Sequence, residues 1–230
     1  MNGFQVIDFN TAKEFILPRH YAGRIPSINY SFGWYENNKL KAVCTFGKPA
    51  SPTVCNCVCG VEYANSVYEL NRLCREEDMQ TPISKFVAKC LKYLKQWDLI
   101  IISYSDTAMN HHGYIYQATN FIYTGCTDER YDYIETPNTY RRHSKALRDD
   151  GTGLKSIRSP KHRYIYFCTK NKYKLKEWKS HFKLPICDYP KGDNSNYTLG
   201  TVAPLQVIDN DEILEIQRDK PIKHNLRKLF

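Results

Sequence analysis

Asp106 and Tyr116 stand ten residues apart in LIIISYSDTAMNHHGYIYQATNFIYTG, residues 99–125. A carboxylate accepts a proton and a phenol donates one, so the pair suits general acid–base work on a reacting amine or carbonyl. Four β-branched and leucine residues, 99–102, precede them and predict a strand buried on both faces. Ser103, Ser105 and Asp106 are expected to end it, Thr107 or Asn110 to cap a helix, and residues 111–124 to wind as that helix. At about 100° per residue, Tyr114, Ile115, Ala118, Phe121 and Ile122 fall on one side. His112, Gly113, Tyr116, Gln117 and Asn120 fall on the other. That second face holds neutral hydrogen-bonding groups and histidine where a surface helix would show Lys and Glu. It fits a cleft wall, and equally a half-buried helix whose Tyr and Asn satisfy backbone groups.

Three further places carry candidate chemistry. His20 and Tyr21 lie in a loop bracketed by Pro18 and Pro26, where no core requires them. In YELNRLC, residues 68–74, alternation puts Tyr68, Leu70, Arg72 and Cys74 on one side and Glu69, Asn71 and Leu73 on the other. An arginine in such a run demands a carboxylate or an anionic ligand, with Glu69, Glu76 and Asp78 as structural partners. The next helix is expected to start with Thr81 as N-cap and Pro82 in first position, placing Ser84 in a first turn whose N–H groups favour an anion.

The elements that must position these residues follow from the rest of the chain. Its 230 residues and 27.0 kDa allow one domain with a sizeable core. No apolar run reaches the roughly 20 residues of a membrane span, and the N-terminus lacks the pattern of a secretory signal, so a soluble, cytoplasmic protein with no membrane partner is expected. Nine cysteines are an odd count and read as reduced thiols. Cys55, Cys57 and Cys59 are expected on one face of a strand over residues 54–63, with structural zinc disfavoured by the spacing.

In chain order the pattern predicts a strand and short helix over residues 4–17, a hairpin over 30–46, the Cys-rich strand, the Arg72 strand, the Ser84 helix, the central strand and helix, and closing strands at 131–136 and 164–168. The polar spacer between these last two, residues 139–163, reads as a mobile loop that orders on binding. A basic helix over 174–183 leads into a weakly folded arm. We divide the chain into a catalytic domain, residues 1–170, and a basic extension, residues 171–230. Residues 141–191 contain 15 Lys and Arg against 4 Asp and Glu, so this segment outweighs the whole remaining chain in a protein of net charge +9. Aromatics interleave with the lysines there, a combination suited to phosphate contact plus stacking, and Lys172, Lys174, Lys176 and Lys179 are the expected contacts to double-stranded DNA.

The order of elements resembles the N-acetyltransferase-like (GNAT) fold, an α+β (α/β three-layer) architecture with a mixed central sheet flanked by helices. YELNRLC followed by SYSDTAMNHHGYIYQATNFIYTG resembles the Mom family of phage DNA adenine modification proteins, most strongly over residues 68–125. The resemblance implies conversion of adenine to its N6-carbamoylmethyl form, which protects phage DNA from restriction. It implies functional roles for Asp106 and Tyr116, which match the family's aspartate and tyrosine, and for His20 and Tyr21, which match its His-Tyr pair. It also implies donor binding by Arg72 and Ser84, and we place Asn71 and Ser103 with them. Gln117 and Asn120 are assigned to the substrate side. Iron is associated with the family, and His20, Asp106, His111 and His112 supply suitable ligand types. The chain departs from GNAT acetyltransferases at CREEDMQTPISKF, which has three acids and no glycine where a coenzyme A pyrophosphate would lie. The donor is therefore acetyl-CoA held differently, or another activated acyl or aminoacyl carrier. Asp106 is expected to take or orient the amine proton, with Tyr116 as acid or oxyanion donor converging on it, and the target base must leave the duplex. Two other readings stand beside this one: an N-acyltransferase acting on another nucleic acid or a protein amine, and a non-catalytic DNA-binding phage protein.

Overall fold

The computed structural model describes residues 2–22, 24–135, 144–193, 204–209 and 212–216. Its elements are β1 (Gly3–Val6), α1 (Phe9–Ile16), β2 (Tyr30–Glu36), β3 (Lys39–Gly47), α2 (Pro52–Cys59), β4 (Val67–Arg75), α3 (Ile83–Leu94), β5 (Leu99–Asp106), α4 (Tyr114–Ala118), β6 (Ile122–Cys126), β7 (Arg130–Ile134), α5 (Ser144–Asp150), β8 (Leu154–Arg158), β9 (Lys161–Cys168), α6 (Lys172–Ser180), β10 (Leu205–Asp209) and β11 (Glu212–Ile216). A seven-stranded sheet runs β1-β2-β3-β4-β5-β9-β6, and a four-stranded sheet runs β11-β10-β8-β7. In the larger sheet β4 and β5 are parallel while their neighbours pair antiparallel, which gives the expected α+β class with a mixed sheet between helices.

Local chemistry explains the ends of these elements. Asp8 caps α1 by accepting from the Thr11 N–H at 3.0 Å. Asn37 and Asn38 both take positive φ, 49° and 61°, as a two-residue hairpin turn between β2 and β3 requires. Alternation along β5 then splits the core in two. Leu70, Ile101, Tyr116, Phe121 and Tyr164 pack with Phe86 and Leu91 of α3 on one face. Val67, Ile100, Ile102, Ile165 and Phe167 pack with Val58 of α2 and Trp178 of α6 on the other. Trp178 is 3% exposed, so α6 is fastened to the catalytic sheet by one large aromatic anchor.

The structure corrects several expectations. Cys55, Cys57 and Cys59 lie on the helix α2 and its end, not on a strand. Pro52 starts that helix, and Cys55, Val58 and Cys59 are its buried stripe at helical spacing. The central helix is five residues long rather than fourteen. Gly113 (φ 72°) and Asn120 (φ 61°) bend the chain at either end, and a side chain at Gly113 would strike the Tyr164 ring at 2.5 Å. The chain after Asn120 returns as β6, and Tyr116, expected on the polar face, is 9% exposed and packs on Phe121 and Tyr164. Helix α3 starts at Ile83, not Pro82, because the Gln80 and Thr81 N–H groups are taken by the Glu36 carboxylate at 2.9 Å each. The expected spacer loop supplies α5 and β8, with residues 139–143 outside the described residues, and the expected arm supplies β10 and β11, with residues 217–230 outside them. These strands and β7 satisfy one another's backbone groups in the second sheet, which is why so polar a stretch folds.

Candidate active site

The site begins where the sheet opens. β4 and β5 pair only from Val67 opposite Ile100 to Leu70 opposite Ser103. Beyond that point β4 stays bonded to β3 and β5 to β9, so the two parallel strands part at their carboxyl ends. Parallel strands diverging at their carboxyl ends form the crevice in which open sheets bind ligands.

A bulge aims the β4 side of this split. Thr45 faces Arg72 and Phe46 faces Leu70, leaving Asn71 as the extra residue. The expected strict alternation therefore fails: Tyr68, Leu70 and Leu73 all join the core on the α3 side, while Cys74 joins that of α1. Asn71 accepts from the Thr45 hydroxyl at 2.7 Å and donates to the Ser27 carbonyl at 2.8 Å, so its amide ties the loop before β2 to the bulge. Gly47 permits this, since a side chain there would collide with the Ser27 carbonyl. Arg72 donates to the carbonyls of Asn71 and Arg24. The alternative carboxylate partners are engaged elsewhere, Glu76 by Arg19 and Asp78 by Lys41, each at 2.6 Å. Burial and the Arg24 charge lower the Arg72 guanidinium, and burial pushes the Glu69 carboxyl up against the pull of Arg72 and Arg24. Glu69 carried no role in the sequence reading, because a lone acid in a strand has no local signature.

On the β5 side, Ser103 donates to the Leu70 carbonyl at 3.0 Å across the last paired step. The Tyr116 hydroxyl hydrogen-bonds Ser103, and burial raises its pKa strongly, so Tyr116 enters the split as a neutral phenol. Ser105, two residues on and on the same face, is 5% exposed, and its hydroxyl has no hydrogen-bond partner among the described residues. A buried hydroxyl without a partner is costly, and a ligand in the split would satisfy it. The sequence reading used Ser105 only to end the strand, although alternation from Ser103 places it on the same face.

His20 and Tyr21 stack at 4.5 Å over the opening, and Tyr21 meets His111 edge-on at 6.5 Å. His20 Nδ1 accepts from the Ala22 N–H at 3.1 Å, which leaves the ring proton on Nε2. Burial, reinforced by Arg72 and His111, brings the His20 pKa down to about 3. It is therefore a neutral donor at physiological pH.

Asp106 lies apart from Tyr116. Ile100, Ile102 and Tyr104 share its alternation on β5, whereas Tyr116 meets Ser103 on the other face. Its carboxylate pairs with Lys161, directly opposite on β9, and accepts from the Ser159 hydroxyl and the Ala108 N–H. The expected direct convergence of Asp106 and Tyr116 is not made. Ser84 sits half-buried in the first turn of α3. Gln117 donates to the carbonyls of His112 and Pro190 at 2.9 and 3.2 Å, and Asn120 is exposed in its turn. Lys172, Lys174, Lys176 and Lys179 lie on α6, and Lys174 pairs with Asp98 at 2.9 Å, just before β5 begins. At about 3.3 Å per residue, that is roughly 25 Å from Asp106, so these lysines do not join the split.

The residues offered for iron do not fit it. Asp106 is engaged by Lys161 and Ser159, His20 Nδ1 accepts a backbone N–H, and His112 packs against His162 while His111 meets Tyr21. No group of three His, Cys, Asp or Glu side chains able to hold a metal occurs among the described residues. Nor is any described helix long and apolar enough to cross a membrane.

Among solved structures the chain is similar to a ribosomal-protein alanine N-acetyltransferase from Escherichia coli (11% identity, TM-score 0.44, 74% of this chain and 96% of that one). It is likewise similar to an N-acetyltransferase from Staphylococcus aureus (10%, 0.44, 74% and 99%) and a probable acetyltransferase from Staphylococcus epidermidis (12%, 0.44, 74% and 100%). No curated protein matches it. The model of the Mom protein family matches residues 3–191, from β1 through the segment that Gln117 holds, and the chain belongs to that family.

Proposed function

We propose that this protein is a transferase that modifies the N6 amine of adenine in double-stranded DNA, with the carbamoylmethyl product that the family resemblance implies. The observation that carries the reading is the opening between β4 and β5, where neutral donors (Tyr116, Ser103, His20) meet Arg72 and the unsatisfied Ser105 hydroxyl. The lone pair of the adenine amine is delocalised into the ring, so the enzyme must hold the amine against an activated carbon and remove a proton as the bond forms. Arg72 would hold the anionic part of an acyl or aminoacyl donor, acetyl-CoA being one candidate. Tyr116, Ser103 and Nε2–H of His20 would donate to the oxygen on which charge grows. Asp106, from the opposite face of β5, would take or orient the amine proton, so acceptor and donor approach from different sides of one strand. Tyr21 offers a ring for the extruded base, whose unstacking costs a few kcal/mol.

The test is mass spectrometry of nucleosides from plasmid DNA of cells expressing the wild-type protein or Tyr116→Phe. A new adenosine species with the mass of a carbamoylmethyl group, absent from the variant, supports the reading. An unchanged nucleoside profile from soluble wild-type protein overturns it in favour of another acceptor.

A further inference from the structure

A row of arginines lies between the two sheets, close to the split and away from the lysines of α6. Arg130 of β7 stands directly opposite Arg158 of β8 in the antiparallel register. Like charges in that position oppose the pairing of their own strands. Asp132 reaches Arg158 at 3.4 Å, with both side chains nearly half exposed, and so offsets only part of the repulsion. Through Ser159 and Pro160 the chain passes straight from Arg158 to Lys161 at the edge of the split. There Pro160 accepts from the Thr107 hydroxyl at 2.7 Å and Ser159 is bonded to Asp106, so this joint fixes where the arginines stand. Arg158, Lys161, Arg72 and Arg24 all act on the Glu69 carboxyl, and Arg130 acts on Tyr104, which places the row along the face of the split that Asp106 occupies. Beside it, Tyr131 is 45% exposed, with Lys155 Nζ 4.0 Å from its ring centroid.

We infer that the β7–β8 edge, with Arg130, Arg158 and Lys161, is the phosphate-binding surface that holds duplex DNA beside the split, Tyr131 and Lys155 extending it outward. This rests on the DNA-modifying reading above. Guanidinium forks match phosphate oxygens bidentately, and a phosphate seated between Arg130 and Arg158 would turn their repulsion into a shared attraction. The second sheet then has a purpose: it carries cations to the one face of β5 from which the acceptor must come.

The experiment measures binding of a fluorescent 20-base-pair duplex to the full chain across a salt series. The variants are Arg130→Gln/Arg158→Gln and Arg130→Lys/Arg158→Lys, with thermal melting of each. Each phosphate that a variant no longer neutralises should flatten the plot of log affinity against log salt by about 0.9, so the Gln pair should flatten it by about 1.8. The Lys pair should keep the slope. Removing the like-charge pair should also raise the melting temperature of the Gln variant, which separates weaker phosphate binding from a damaged fold. An unchanged slope in the Gln pair overturns the inference while leaving the DNA-modifying reading intact. So does an unchanged slope accompanied by loss of coenzyme A binding, which would assign these arginines to a donor phosphate. Wild-type protein that shows no salt-dependent duplex binding would instead remove the reading on which the inference rests.

Discussion

Lys161 faces Asp106 across the antiparallel pair of β9 and β5, and their side chains close an ion pair at the mouth of the split. The aspartate is 12% exposed and the lysine 27%, so neither charge is well hydrated once its partner is gone. Asp106→Asn should therefore cost about 2 kcal/mol of stability, measured by urea unfolding. Lys161→Met should cost a similar amount, and the double variant less than the sum of the two. Purely additive losses would show that the pair is not coupled. Activity lost in Asp106→Asn but kept in Lys161→Met would assign Asp106 to the chemistry itself; loss in both would assign it to holding the mouth in place.

Tyr116→Phe keeps the ring against Phe121 and Tyr164 and removes only the hydroxyl on Ser103. Stability should change by about 1 kcal/mol or less, while the yield of modified nucleoside falls by about 10²-fold or more, as for loss of one oxyanion donor. Equal modification by Tyr116→Phe and wild type would place the donor elsewhere in the split.

How far the sequence could be read is clearest in β4 and α2. The run around Arg72 was legible as a strand because its neighbours alternate or pack as strand residues do. The bulge at Asn71 was not, since it arises from the Ser27 loop reaching across to take the amide, a bond between residues 44 positions apart. For CxCxC the two periodicities competed: alternation suggested a strand, while Pro52 and the spacing of Cys55, Val58 and Cys59 carried the helix. Asp106, Tyr116, His20, Tyr21 and Arg72 were legible as chemistry-bearing types. The face on which each would lie was not, because one glycine and one asparagine with positive φ shorten the central helix and turn Tyr116 inward.

His20 sets a pH dependence. Its folded-state pKa is about 3, below the ordinary value of 6.5, because of burial and the neighbouring Arg72 and His111. Between those two values the unfolded chain binds a proton that the folded chain refuses, so stability is complete above about pH 6.5 and falls as the pH falls toward 3. The slope from this group approaches about 1.4 kcal/mol per pH unit at most. Urea unfolding at pH 7 and pH 5 should show a decrease in the wild type that is smaller in His20→Gln. The same decrease in both would mean that other groups set the acid sensitivity.

Gln117 governs the segment that crosses α4. Its amide donates to the Pro190 carbonyl, Tyr114 bonds Gly192, Asn110 donates to the Asp193 carbonyl at 2.8 Å, and Tyr189 donates to that of Phe121 at 2.7 Å. All four interactions use main-chain groups, so they depend on the side chains of the α4 region and tolerate many sequences in the segment. The same Gln117 amide also bonds the His112 carbonyl within its own turn, and Tyr164 donates to that carbonyl from β9. Gln117→Ala should therefore loosen the segment and the start of α4 together, at a cost of about 1–2 kcal/mol. Hydrogen exchange should quicken at the Gly192 and Tyr116 amides while the β3 and β4 amides stay protected. If exchange quickens at Gly192 alone, the segment is a passive cover; if at both, it helps to hold Tyr116 on Ser103, and modification activity should fall with it.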